Sequence, residues 1–159
     1  EVVNLTSAAS KRDEESAVKL GKLSKDVIKD TLKKNLHNLF NQKWKARADD
    51  RLWTCFKDQE KAISGGRYSK QFLAFNYKAT NDFINVHHVA FLLDVRQNPI
   101  IAQVCKNRGV ETSDEHFAIS TLIQFIFRSA LRVGEPIKLY LPSARMRGLL
   151  EKWKQGEFE

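Results

Sequence analysis

Val89-Ala90-Phe91-Leu92-Leu93-Asp94-Val95 is an apolar run interrupted by a single aspartate, without the alternation of a strand that has one wet face. Such a run suits a strand covered on both sides, as in the middle of a parallel sheet. The residues after it supply what a parallel sheet needs. Pro99 opens a short helix through Lys106. Thr112-Ser113-Asp114-Glu115 then offers a capping box for a helix expected to run to Val133 and to stop at Gly134. Ile137-Lys138-Leu139-Tyr140-Leu141 reads as a further strand, and Pro142-Ser143 caps a last helix with Met146, Leu149, Leu150 and Trp153 on one face. Upstream, Gln71-Phe72-Leu73-Ala74-Phe75 is another short strand candidate. Strands alternating with helices predict an α/β fold with a mainly parallel sheet and crossover helices.

The front half reads differently. From about Glu14 to Ala46, Leu20, Leu23, Val27, Ile28, Leu32, Leu36, Leu39 and Phe40 recur at three- and four-residue steps, with lysines between them. This predicts one long helix or two abutting ones. Asp49 is positioned to cap a further helix carrying Leu52, Trp53, Phe56 and Ile63, ended by Gly65-Gly66. The expected division is a helical, basic segment over residues 1–66 and an α/β lobe over 67–159.

At 42% apolar residues the chain is rich enough to bury a core, and no run is long enough to span a membrane. Its only methionine is Met146, so the chain is expected to be part of something longer. Two cysteines fifty positions apart, Cys55 and Cys105, suggest neither a disulfide framework nor a zinc site, consistent with a cytoplasmic (for a viral protein, host-cytoplasmic) or nuclear setting. The net charge is +8 and the isoelectric point about 9.6. A field of that sign concentrates polyanions, DNA or RNA foremost, and no membrane partner is expected.

Chemistry is most concentrated in Phe117–Arg132. Apolar residues surround nearly the whole of this segment, yet Gln124, Arg128 and Arg132 fall within a stripe of about 80° on a helix. Burying a guanidinium without a partner costs several kcal/mol, so the stripe must face a carboxylate or an anion. One reading is a salt bridge to Asp94 or Asp82. The other is a phosphate site, which suits the fixed fork of arginine.

Gln124-Phe-Ile-Phe-Arg128-Ser-Ala-Leu-Arg132 resembles the glutamine–arginine–arginine motif of the second RecA-like lobe of superfamily 2 helicases, here of a phage or plasmid type. It departs from the usual pattern at Phe127, where glycine is expected, and in the spacing of its second arginine. Phe72–Asp82, containing Ala79-Thr80-Asn81-Asp82, resembles the preceding strand-and-loop motif; Val89–Val95 and Gly134–Tyr140 resemble the next strands, so the likeness spans about residues 68–153. The resemblance implies that Arg128 or Arg132 contacts ATP phosphates, with Gln124 coupling nucleotide state to lobe closure. It also implies that Thr80, Asn81 and Asp82 couple nucleotide to nucleic acid. ATP and magnesium would be held with a first RecA-like lobe, in the parent chain or another subunit.

No Gly-x-x-x-x-Gly-Lys-Ser/Thr loop is present, so this chain alone lacks the cradle needed to hydrolyse a nucleotide. Lys78, Arg67 and Lys70, interleaved with aromatic residues, and Arg145 and Arg147 on the last helix are further candidates for nucleic-acid contact. His87-His88 has no partner at metal-ligand spacing. Three readings follow: the C-terminal lobe of an ATP-dependent helicase or translocase; a non-catalytic basic DNA- or RNA-binding or replication-accessory module; and a scaffold whose long helix meets an acidic partner.

Overall fold

The computed structural model describes residues 25–77 and 81–158, with residues 25–28 and 66–67 described by backbone alone. Three strands form one parallel sheet in the order β1 (Arg51–Thr54), β2 (His88–Phe91), β3 (Lys138–Tyr140). The α-helices of more than one turn among the described residues are α1 (Lys25–Asn38), continued by a π-helical turn Leu39–Lys43, then α2 (Pro99–Asn107), α3 (Asp114–Ile126) and α4 (Ala144–Lys154). Among the described residues, no helix is long and apolar enough to cross a membrane.

Side chains alternate across each strand, and both faces meet a core. Leu52, Val89, Phe91, Ile137 and Leu139 join Ala118, Ile119, Leu122 and Phe125 of α3 and Met146, Leu149 and Leu150 of α4 in one cluster. Trp53, Ala90 and Tyr140 face the other way, into a second cluster with Leu32 and Leu36 of α1, Leu39, Phe40 and Trp44. The parallel α/β architecture expected from Val89–Val95 is therefore present as three layers, helix on sheet on helix.

The front half differs from expectation. Asp49 caps no helix; the chain turns into β1 and pairs with β2 from Arg51–His88 to Thr54–Phe91. Leu52 and Trp53 lie on opposite faces, each fully buried, which a helix reading of their spacing could not anticipate. Trp53 Nε1 donates to the Tyr68 carbonyl at 2.7 Å, and Leu73 N donates to the Trp53 carbonyl at 3.0 Å. The segment before Gly65-Gly66 thus supplies a sheet strand and most of the second core cluster, which Tyr68, Ala90, Leu92 and Tyr140 complete from beyond it, so the packing of the described residues does not divide there. Gly65 itself is needed for closeness: a Cβ on it would lie 2.9 Å from the Tyr68 hydroxyl. The expected strand Gln71–Phe75 is reduced to a single bridge between Phe72 and Trp53. Of the long front helix, residues 14–24 lie outside the described residues, and the remainder ends as the π-helical turn.

In contrast to α3, α2 buries nothing. Ile100, Ile101 and Val104 are 73%, 56% and 45% exposed, although the helix is well capped by Asn98 at Ile100 N. Leu122, fully buried between α3 and the sheet, is expected to cost about 2–5 kcal/mol on truncation to alanine. Ile100→Ala on α2 should stay within about 0.5 kcal/mol of the parent. Urea unfolding of the two variants checks the contrast; equal losses would contradict this division into core and surface.

Candidate phosphate-facing site

The helix that was expected to carry Gln124, Arg128 and Arg132 together stops at Ile126. The cause is Ser129. Its hydroxyl takes the Ile126 carbonyl at 2.5 Å, the bond that Ala130 N would make in a continuing helix. Ala130 N goes instead to the Val86 carbonyl at 3.0 Å, and Arg128 N and Ser129 N tighten onto Phe125 and Ile126. Ser129 adopts extended backbone (φ −88°, ψ −172°), and a 3-10 turn, Ala130–Val133, follows and closes at Gly134 (φ 82°). Gln124 remains on α3 and is exposed; Arg128 lies in the break and Arg132 in the turn. The three are therefore not one helical stripe, and the reason is a tertiary hydrogen bond to the residue before His87.

The break brings together two segments that the sequence placed fifty residues apart. Arg128 Nη2 donates to the Tyr77 carbonyl at 2.5 Å, and Arg132 Nη1 donates to Asn81 Oδ1 at 2.6 Å. Both guanidiniums thus touch residues that flank positions 78–80 in the sequence. Lys78 and Thr80, and the side chain of Arg67, lie outside the described residues. Among the described residues no carboxylate is within ion-pair distance of Arg128 or Arg132, so neither takes up the salt bridge to Asp94 or Asp82 that was the simpler reading. Among the described residues Arg128 Nη1 is buried without an acceptor, and burial lowers the Arg128 pKa from its ordinary value. A guanidinium stays charged at any physiological pH, so this nitrogen is a donor awaiting an acceptor. Around it Tyr77 and Phe127 are 57% and 40% exposed. Lys70 is exposed beside the 3-10 turn that precedes Phe72.

Arg145 and Arg147 depart from the expected outer basic face of the last helix, because both turn inward. Arg145 Nη1 bonds Asp94 Oδ1 at 3.0 Å and the Val95 carbonyl at 2.7 Å, while its Nη2 pairs with Asp114 Oδ2. Asp114 Oδ1 in turn accepts from Gln97 N at 2.5 Å, and Arg96 approaches both aspartates. Arg147 Nη1 donates to the carbonyls of Leu141 and Pro142 at 2.7 and 3.0 Å. One arginine therefore ties the end of the β2 run to the starts of α3 and α4. Sequence spacing held no sign of this, since Asp94, Asp114 and Arg145 are far apart in the chain. A cavity of about 500 Å3 beside α2, lined by Gln103, Lys106, Val110 and Glu111 among others, contains none of the candidate residues.

Residues 2–154 match the family described as the YonV C-terminal Rossmann-like domain. The chain belongs to that family. It is 36% identical over 133 residues to the SPbeta prophage-derived uncharacterized protein YonV of Bacillus subtilis (strain 168), covering 84% of this chain and 32% of that relative. The chain thus spans about a third of the length of the curated relative it matches. No solved structure matches it. The YonV C-terminal family is Rossmann-like by description, in keeping with the three-stranded parallel sheet.

Within this YonV-type domain, Arg145 is expected to be structural. Arg145→Ala removes hydrogen bonds to two carboxylates and a carbonyl, and about 1.5–3 kcal/mol of stability should be lost. Arg145→Lys should recover only part of it, since a point charge cannot replace the fork. Thermal or urea unfolding of both variants measures the difference; a silent Arg145→Ala would show the network to be solvated and idle.

Proposed function

We propose that this domain is the C-terminal lobe of an ATP-driven nucleic-acid helicase or translocase, presenting Arg128 and Arg132 to the phosphates of a nucleotide held by another lobe. One observation carries the reading: Arg128 is partly desolvated, tied to the Tyr77 carbonyl, and keeps Nη1 buried without an acceptor. A phosphate oxygen is the acceptor whose charge and geometry fit that unused donor. The proximity of Arg132 to Asn81 supports it further, because the loop that would sense nucleic acid then touches the turn that would sense nucleotide. Gln124, exposed two residues before the end of α3 and so ahead of the break, would report lobe closure.

In this reading the domain supplies charge and position, and the phosphate-cradling loop, ATP and magnesium belong to a lobe outside this chain. Developing charge on a transferred phosphoryl group is what an arginine of this kind stabilises, commonly by about 10³- to 10⁵-fold in rate. Asn81, Asp82 and Lys78, with Thr80, would meet the DNA or RNA strand, and Tyr77 offers a stacking face beside them.

The test is made in the full-length protein. Arg128→Ala and Arg132→Ala are each compared with the parent for nucleic-acid-stimulated ATP hydrolysis and for nucleic-acid binding at fixed salt. At least one should lower kcat about 10³-fold or more while binding changes little. Unimpaired hydrolysis in both variants, or absence of hydrolysis in the parent alongside salt-sensitive binding, would replace the motor by a binding module.

A further inference from the structure

The turn that carries Arg132 is fastened at both ends to the same short stretch of backbone. At its start, Ala130 N donates to the Val86 carbonyl at 3.0 Å. At its close, Gly134 N and Glu135 N donate to the Leu131 and Ala130 carbonyls, each at 3.1 Å, so the direction in which Glu135 leaves is set by the turn itself. The Glu135 carboxylate then reaches back to the His87 ring, Oε2 to Nε2 at 2.7 Å. His87 is the residue after Val86. Its other ring nitrogen, Nδ1, lies 3.2 Å from Asp50 Oδ1, and its backbone N donates to the same oxygen at 2.5 Å. Each nitrogen of one imidazole thus faces a carboxylate, one from the residue before β1 and one from the loop before β3.

We propose that His87, held between Asp50 and Glu135, is a proton-operated latch that positions the Arg132 turn at the start of β2, the central strand of the sheet. The inference rests on the proposed role of Arg132 for its consequence, though not for its existence. A doubly protonated imidazole has a donor for both carboxylates. A neutral one has a single donor, so a lone pair must then face one carboxylate and the ion-pair character of both contacts disappears. Asp50 has other holds: the His87 amide, and His88, whose Nδ1 is 3.0 Å from Asp50 Oδ2. Glu135 is exposed and has this one side-chain contact among those described, so the Glu135 side is where the latch opens.

The groups facing the ring agree on the direction. The hydrogen bond to Glu135 raises the His87 pKa from its ordinary value, burial opposes it, and Asp50 adds to the rise. His88 behaves oppositely. It is packed against Trp44, with ring centroids 5.4 Å apart, and burial lowers its pKa despite Asp50, with Lys138 acting the same way. The two neighbouring histidines are thus shifted in opposite directions. A group whose folded pKa is raised stabilises the fold fully below its unfolded value, about 6.5, and loses that contribution as pH rises through the folded value. The latch is thus closed in mildly acidic solution and loosens above His87's raised pKa.

The experiment combines NMR titration of the histidines with amide-exchange protection at Gly134 and Glu135, corrected for intrinsic exchange, on this chain. The His87 pKa should lie above 6.5, and Glu135→Gln should lower it, with protection falling about tenfold for each unit of pKa lost. Protection in the parent should fall as His87 deprotonates, and His87→Arg, a permanent cation, should make it independent of pH. An unmoved His87 titration in Glu135→Gln, or protection indifferent to His87's charge, would overturn the latch. In the full-length protein, hydrolysis should follow the same pH profile and flatten in His87→Arg. If exchange responds and hydrolysis does not, the latch stands and its tie to Arg132's role fails; indifference of Arg128→Ala and Arg132→Ala tests the motor reading separately.

Discussion

The central strand of this parallel sheet is covered on both faces, so the apolar residues of β2 have to be received by one of two cores. Val89 and Phe91 go to the α3–α4 side, and Ala90 to the α1 side, and all three are fully buried. Burial of this kind scales with apolar area removed from water, at roughly 25 cal/mol per Å2, and short strands offer little area apiece. The fold therefore depends on both helical layers at once. Removing α1 and the turn after it would expose Trp53, Ala90 and Tyr140 together. This is why the described part of the front half, from α1 through β1, packs as part of the sheet.

The same need for edge satisfaction shapes the candidate site. Val86, just before β2, has a carbonyl that must find a donor, and Ala130 supplies it at the cost of the helix in which Ala130 would otherwise sit. Ser129 makes the exchange affordable by occupying the freed Ile126 carbonyl. The break swings Arg128 and Arg132 away from the helix axis and onto the loop around Tyr77 and Asn81. Two guanidiniums then share a surface with an asparagine and two partly exposed aromatic rings, without an intervening carboxylate among the described residues. On the opposite rim of the sheet the reverse arrangement holds: Arg145 is surrounded by acceptors, and its charge is spent on tying elements together. Two arginine clusters of similar sequence appearance thus have different chemistry, one saturated and one with a donor to spare.

Membership of the YonV C-terminal family places the domain at the end of a longer relative, and the Rossmann-like description agrees with the sheet. In the proposed motor reading, arginines that meet a phosphate without a phosphate-cradling loop in the same chain would act beside another lobe.

Some of this structure was legible in the residues themselves. The apolar run at Val89–Val95, broken only by Asp94, required burial on two sides, which led directly to a parallel sheet. Ser113 and Ser143 marked helix starts through local side-chain bonds to His116 N and Met146 N, and such local chemistry is readable over a few positions. Gln124, Arg128 and Arg132 could be singled out because charge on an otherwise apolar segment demands an explanation. What sequence could not reveal was everything decided by contacts between distant positions. β1 was hidden because Leu52, Trp53 and Phe56 suit a helix by spacing, and only pairing with β2 makes Arg51–Thr54 a strand. The end of α3 at Ile126 was hidden because it is imposed by a carbonyl forty-odd residues upstream. The inward turn of Arg145 was hidden because Asp94 and Asp114 meet it only once β2, α3 and α4 are packed. Local periodicity specifies which residues want to be buried; the tertiary fold decides which partner each one finds, because that depends on which carbonyls, carboxylates and core surfaces the folded chain brings within about 3 Å.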